Sequence, residues 1–178
     1  MIVFYSVHGV SGMSDNRGYL LALDANPNRA ELKGYPVDVL LKNFAKVPAK
    51  SMMVLIDACF SGDSPKGMLV RATSGLTVKI TAPKKASDNM IVITAAEADQ
   101  FSNLNEDAKH GLLTKHYLEA LNRVADKHAK TGKKDGKVTL GEVKAYLERE
   151  ITYQARKRFR QDQHATVSGD LKTVLSAY

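Results

Sequence analysis

The chain has 178 residues, 44% of them hydrophobic, and a formal net charge of +7. A chain of this length and composition can bury a substantial core, and we expect it to form one domain. A single cysteine excludes a disulfide framework and favours a reducing, cytoplasmic compartment. We expect neither a membrane span nor a signal peptide, since the apolar start is short and has no basic region before it.

The positive charge is concentrated in two segments, residues 127–137 and 156–160. The first segment contains no Phe, Trp or Tyr and the second contains only Phe159, so neither shows the repeated aromatic interleaving of a surface that stacks on bases. We therefore interpret both segments as solvated basic surfaces and do not expect nucleic acid as a partner. The alternative is a site for an acidic partner.

Two apolar runs in the first third of the chain predict neighbouring strands of a parallel sheet. Residues 2–7 form the first run, and residues 52–56 form the second, which is apolar throughout, as expected of a strand covered on both faces. Between them lie a polar, glycine-containing loop, a short hairpin strand at 19–23 and a helical pattern at 37–44. Strand, helix and strand make a βαβ unit, which predicts parallel pairing.

The alternation continues downstream, with a third apolar strand predicted at 90–95. A helix opening at Gly111 is predicted to carry an apolar face of Leu113, Tyr117, Leu121 and Val124. A capping box, Thr139 to Glu142, starts the last helix. The apolar stripe of that helix comprises Leu140, Val143, Leu147, Ile151 and Ala155. With a final strand at 173–177, the pattern is typical of an α/β fold with a mostly parallel sheet.

Cys59 and His8 are the residues best suited to carry chemistry. Reactive groups in a parallel sheet gather at the carboxyl ends of the strands, and the first two predicted strands would present this thiol and imidazole side by side. A thiolate attacks carbonyl carbons, and a neighbouring imidazole lowers the thiol pKa or passes a proton to the leaving amine. The alternative for a lone cysteine is an inert, small apolar residue. The other four histidines are expected in loops or helices, in satisfied or solvated roles.

The sequence around these two residues resembles that of the caspase-like cysteine peptidases, particularly the metacaspases and their bacterial relatives. Tyr5-Ser6-Val7-His8-Gly9 is similar to the Y-S-G-H-G strand end of that family, and residues 57–62 are similar to its D-x-C-x-S-G motif. Further similarity at 91–100, at 111–114 with 118–121, and at 135–142 extends the resemblance over nearly the whole chain. It implies a caspase-hemoglobinase fold, with helices on both faces of the sheet.

The resemblance also implies an endopeptidase that hydrolyses peptide bonds through a Cys59/His8 dyad and a thioester. In such enzymes backbone N–H groups hold the oxyanion, here those of Gly9 and Cys59, and Asp57 and Ser6 match positions that line the S1 pocket. A carboxylate in that pocket favours Lys or Arg at P1 through a charge-assisted hydrogen bond. The alternative for Asp57 is a cap for local backbone N–H groups, and for Ser6 a plain strand-end hydroxyl.

The basic, turn-rich connection at residues 66–89 would join a large-subunit-like part, residues 1–65, to a small-subunit-like part, residues 90–178, of a single domain. Four basic residues of this connection suit an Asp57-lined pocket and are candidate self-cleavage sites: Arg71, Lys79, Lys84 and Lys85. Self-cleavage there could activate the enzyme. The alternative is a solvated loop that is never cut.

Two departures from the family pattern affect partners and cofactors. Relatives carry further strands before the histidine strand, so residues 2–7 would form a bare apolar sheet edge. We therefore expect a fragment, a processing product, or a chain completed by an N-terminal segment, a second chain or a homodimer. Lys66 stands where calcium-dependent metacaspases have an acidic ligand, and only Asp24 and Asp38 are left near the other ligand positions. We therefore expect no metal or other cofactor, with activation by calcium as the less supported alternative. We interpret Asp135-Gly136 as a turn, not as part of a calcium loop.

Three functions therefore remain open. The first is a peptidase acting on protein or peptide substrates. The second is a catalytically idle caspase-like module that binds partners or regulates an active relative. The third is a nucleic-acid-associated protein that uses its basic helices.

Overall fold

The computed structural model describes residues 1–6, 9–12, 14–15, 17–22, 24–58, 60, 63–64, 67–68, 85–95, 104–105, 110–160 and 162–178. The strands are β1 Ile2–Tyr5, β2 Gly9–Ser11, β3 Gly18–Leu20, β4 Tyr35–Pro36, β5 Met52–Ile56, β6 Asp63–Ser64, β7 Gly67–Met68, β8 Met90–Thr94, β9 Leu104–Asn105, β10 His110–Gly111, β11 Lys137–Thr139, β12 Thr166–Ser168 and β13 Val174–Ala177. The α-helices are α1 Ala30–Lys33, α2 Val37–Phe44, α3 Leu112–Glu119, α4 Ala125–Lys127 and α5 Leu140–Phe159.

The main sheet has the strand order β1-β5-β8-β12. β1 pairs with β5 and β5 pairs with β8 in parallel, while β12 pairs with β8 in the antiparallel direction. The predicted α/β class and the parallel pairing of the βαβ unit are thus confirmed. The antiparallel strand β12 was not predicted, because its three residues are only partly buried and form no apolar run.

Helices cover the two faces of this sheet because β5 and β8 are apolar on both sides. On one face Val54 and Ile56 pack with Val37 and Leu41 of α2. On the other face Leu55 and Ile93 belong to a larger core that contains α3 and α5. The predicted apolar stripe of α5 lies in that core, and all five of its residues are fully buried.

The helix α5 begins as its capping box predicts. The Thr139 side chain accepts a hydrogen bond from the Glu142 backbone N–H, and the Glu142 carboxylate accepts one from the Thr139 N–H at 2.9 Å. Two orphan donors of the first turn are satisfied in this way. Before β11, Asp135 and Gly136 form the predicted turn, in which Gly136 has a φ of 80°.

One predicted helical face is wrong at its end. Leu113 and Tyr117 are buried as predicted, but Val124 is 40% exposed. The helical path after α3 is interrupted at Asn122 and Arg123, where Arg123 adopts a φ of 72°. This kink rotates the chain, so the 3.6-residue spacing does not extend to Val124.

The strand β1 is an edge of the main sheet among the described residues. Val3 and Tyr5 pack against the core beneath α2, whereas Ile2 is 77% and Phe4 is 53% exposed on the opposite side. The prediction of a bare apolar edge is therefore confirmed for this structure. The final predicted strand is present as β13, and it pairs with β11 rather than with the main sheet.

No helix in the described part of the chain is long and apolar enough to cross a membrane.

A buried histidine lies between α3 and α5. His116 is 4% exposed, its ring stacks edge-on against Tyr146, and its Nδ1 lies 2.8 Å from Glu119 Oε2. Burial lowers the His116 pKa below its ordinary value, against the opposing effects of Glu119 and the more distant Glu150. The folded protein therefore holds this imidazole in its neutral form more firmly than the unfolded chain does.

This depressed pKa predicts a loss of stability in mild acid. Below about pH 6.5, His116 binds a proton in the unfolded chain but stays neutral in the folded chain. The free energy of unfolding therefore falls by up to ~1.4 kcal/mol for each pH unit of acidification. Urea titrations between pH 7.5 and 5 measure the slope. His116→Phe should flatten it, because phenylalanine keeps an aromatic ring at this position and takes up no proton. Equal slopes in wild type and His116→Phe would contradict the prediction.

Candidate active site

The carboxyl ends of β1 and β5 lie side by side. Tyr5 pairs with Ile56, and the Asp57 N–H donates a hydrogen bond of 2.8 Å to the Tyr5 carbonyl oxygen. His8 and Cys59 lie outside the described residues. In the sequence, each follows its member of the Tyr5 and Ile56 pair by three positions. The strand register therefore places the strand ends that precede His8 and Cys59 in the sequence side by side.

The described residues on either side of Cys59 are firmly packed. Ala58 is 1% and Phe60 is 2% exposed. The Phe60 ring lies against Gly18 of β3, so closely that a β-carbon on Gly18 would be 3.1 Å from two ring atoms. Phe60 thus joins the cysteine segment to the hairpin of β2 and β3. Gly9, the predicted oxyanion residue after His8, is the buried first residue of β2 and pairs with Leu20.

Polar contacts fix the loop of that hairpin. The Tyr19 hydroxyl donates to Asp15 Oδ2 at 2.6 Å, and burial together with this contact raises the Tyr19 pKa to about 12. Arg17 donates to Asp38 Oδ1 from Nε at 3.0 Å and from Nη2 at 2.6 Å. Partial burial acts to raise the pKa of Asp38, but Arg17 and Lys42 outweigh it and hold that pKa below its ordinary value.

Asp38 is also one of the two acidic residues of the incomplete calcium-ligand set. Its carboxylate is instead paired with Arg17 and Lys42. No cluster of three or more histidine, cysteine or acidic side chains that could hold a metal ion occurs among the residues that the structure describes.

Asp57, the predicted S1 residue, is 5% exposed and is held by the first turn of α3. Its Oδ2 accepts a hydrogen bond of 3.1 Å from the Thr114 backbone N–H and a second one from the Thr114 hydroxyl. Asp57 therefore caps a backbone N–H group, as one alternative for it predicted. That N–H is not local, however, because Thr114 lies 57 positions further along the chain.

The remaining predicted site residues are Ser6 and the four candidate self-cleavage residues. Ser6, adjacent to Asp57 across the paired strand ends, is exposed. Of the four candidate self-cleavage residues, Arg71, Lys79 and Lys84 lie outside the described residues. Lys85 is described, and its ammonium group lies 2.9 Å from Asp88 Oδ1.

The sequence does not predict that Gly111 and Thr114 are the neighbours of Asp57. In the sequence, these two residues stand out only as part of a segment that resembles the family. The available signal was a threonine in the first turn of a predicted helix together with an acidic residue at a strand end. Nothing in the spacing said that these two elements would meet.

Comparisons with known proteins agree with this architecture. The family model of the caspase domain, peptidase family C14, matches residues 1–173. The structure is similar to the crystal structure of caspase-1 from Spodoptera frugiperda, with a TM-score of 0.51 and 16% sequence identity. That match covers 98% of this chain and 61% of the insect protein, so the chain spans about three fifths of its length. Comparison with curated proteins finds no match.

Proposed function

The chain belongs to the caspase-domain family of C14 peptidases, and we propose that it is a cysteine endopeptidase with Cys59 as nucleophile and His8 as acid and base. The parallel register of β1 and β5 is the observation that carries this proposal. It supports a common location for the two residues, since both follow paired positions by the same number of residues.

The reaction we propose follows from the chemistry of a thiol and an imidazole. His8 takes the proton of the Cys59 thiol, and the sulfur attacks the scissile carbonyl carbon. The negative charge that forms on the carbonyl oxygen is held by the backbone N–H groups of Gly9 and Cys59. The tetrahedral intermediate collapses as the C–N bond breaks, and His8 gives a proton to the leaving amine. Water, deprotonated by His8, then attacks the thioester, which releases the acid product and restores the thiol.

Asp57 is proposed to select Lys or Arg at P1, with Ser6 beside it at the mouth of the pocket. The burial of Asp57 supports this role, because a charge-assisted hydrogen bond is stronger where water is excluded. The same preference makes self-cleavage after Arg71, Lys79 or Lys84 a candidate activation step. Lys85 suits that step less well, since its N–H donates to Ser168 of β12 and its side chain pairs with Asp88.

Hydrolysis of matched fluorogenic peptides that end in Arg, Lys or Asp tests the proposal, with calcium and with a chelator. We expect cleavage after Arg and Lys, little after Asp, and equal rates in both buffers. Preferred cleavage after Asp would contradict the pocket assignment, and a requirement for calcium would contradict the expected absence of a cofactor. A folded sample that cleaves none of the peptides would favour the idle, partner-binding module.

The open edge of β1 supports a partner at that position, and we propose a second copy of this chain. A strand edge can pair with itself across a two-fold axis, since both copies offer the same donors and acceptors. Such pairing would also place side chains of the second copy beside the exposed Ile2 and Phe4, because neighbouring strands present side chains on the same face. A single cysteine leaves no disulfide to form within the chain, which is compatible with a cytoplasmic protein, the location we propose.

Replacing Phe4 by lysine should therefore weaken self-association. We expect the dimer dissociation constant to rise by about 10- to 100-fold, because each copy loses an aromatic cross-strand contact and gains a positive charge near its partner. Sedimentation velocity over a concentration series measures it. Leu32→Lys is the matched control, because Leu32 is 82% exposed on α1, away from the edge. A wild-type protein that stays monomeric would contradict the proposal of a second copy. It would favour another protein segment as the partner of the β1 edge.

A further inference from the structure

The carboxylate of Asp57 has an unusually specific environment. Asp57 and Thr114 are 5% and 8% exposed, so both side chains are sheltered from water. The backbone N–H and the hydroxyl of Thr114 donate to the same oxygen, Oδ2. Two donors on one oxygen restrict rotation of the carboxylate about its Cβ–Cγ bond, because turning it would break both hydrogen bonds.

Gly111 completes this environment. It precedes α3 with an ordinary extended backbone, φ −60° and ψ 155°, so no backbone strain requires a glycine there. A β-carbon at this position would instead lie 2.0 Å from Asp57 Oδ2 and 2.4 Å from Oδ1. The space beside Gly111 is thus occupied by the carboxylate itself. The first turn of α3 also favours a negative charge at this point.

The Thr114 hydroxyl is the donor of this arrangement that depends on the identity of the side chain. A backbone N–H at the third position of a helix is present whatever the side chain, whereas the hydroxyl is not. In a helix, a threonine hydroxyl can bond to the backbone of its own preceding turn. Here it donates across to another element, the carboxyl end of β5.

We infer that Thr114 is a positioning residue for P1 selection: its hydroxyl fixes the orientation in which Asp57 meets a basic P1 side chain. This inference rests on the proposed function of Asp57. An arginine side chain binds a carboxylate through a planar fork and depends on the orientation of the two oxygens. A lysine ammonium is a compact point charge and depends on it much less. Thr114 should therefore matter more for P1 Arg than for P1 Lys.

The test compares Thr114→Val, which keeps the shape and removes the hydroxyl, with Thr114→Ser, which keeps the hydroxyl. For Thr114→Val we expect kcat/KM to fall about 10- to 30-fold on a P1 Arg peptide and about 3-fold or less on the P1 Lys peptide, mostly through KM. Thr114→Ser should retain the Arg-to-Lys ratio of wild type. The alkylation rate of Cys59 by iodoacetamide, a reagent with no P1 side chain, should stay within about twofold in both variants.

A role in folding alone would give a different result. It would lower the Arg, Lys and alkylation rates together, and that outcome overturns the inference. An unchanged Arg-to-Lys ratio in Thr114→Val also overturns it. If thermal melting shows that the Thr114→Val protein does not fold, Thr114→Ala replaces it, because alanine is smaller and has no branch at the β-carbon. Failure of the proposed function is distinguishable, because wild type itself would then cleave neither peptide.

Discussion

Replacing Cys59 by alanine should lower kcat by about 10⁴-fold or more on every peptide that the wild type cleaves. Alanine has no nucleophilic group, so the tetrahedral intermediate of thiol attack cannot form. The backbone N–H groups of the oxyanion site then have no intermediate to stabilise. The loss should be independent of the P1 residue, because the thiol acts on the carbonyl and not on the side chain. Progress curves with the Arg and Lys peptides measure it.

His8→Ala should reduce kcat to a similar extent, and the double variant should be no slower than either single variant. Two residues that act as one unit give non-additive losses. His8→Ala keeps the thiol, so iodoacetamide should still label Cys59. The rise of the labelling rate with pH should be shifted to higher pH than in wild type. His164→Ala is the matched control and should keep full activity. Undiminished activity in His8→Ala would mean that another group is the base.

The strands that frame this site were predictable because their signal is local. β5 begins and ends where its continuous apolar run does, at Met52 and Ile56. The helix α5 has an equally local signal, in which a capping box is followed by five apolar residues at helical spacing, and every one of the five is buried. Such patterns state which face of an element is covered, and the two cores show these predictions to be correct.

What the sequence could not predict depends on contacts between distant segments. β12 joins the sheet through pairs such as Thr166 with Thr94, which are 72 positions apart and polar. The kink at Arg123 breaks a helical spacing that continues without interruption in the sequence. The contact between Asp57 and Thr114 is of the same kind. A strand-end carboxylate and a first-turn threonine each have ordinary local explanations, and only the packing of α3 against the end of β5 makes them partners.

Replacing Asp57 by asparagine separates its two proposed roles. Asparagine has nearly the same shape, and its carbonyl oxygen can still accept the hydrogen bonds of Thr114, but the negative charge is lost. We expect kcat/KM on P1 Arg and P1 Lys peptides to fall by about 30- to 1,000-fold, equivalent to about 2–4 kcal/mol for a buried charge pair that loses one charge. The midpoint of urea unfolding should change little.

Asp57→Ala should behave differently, because it removes the acceptor as well as the charge. The Thr114 N–H and hydroxyl would then be buried without their partner, at a cost of about 1–3 kcal/mol in the free energy of unfolding. Asp88→Asn is the matched control for the loss of one charge, since Asp88 is fully exposed and should affect neither quantity. If Asp57→Asn keeps the preference for Arg and Lys, the carboxylate is a helix cap alone, and basic P1 selection must come from another part of the chain.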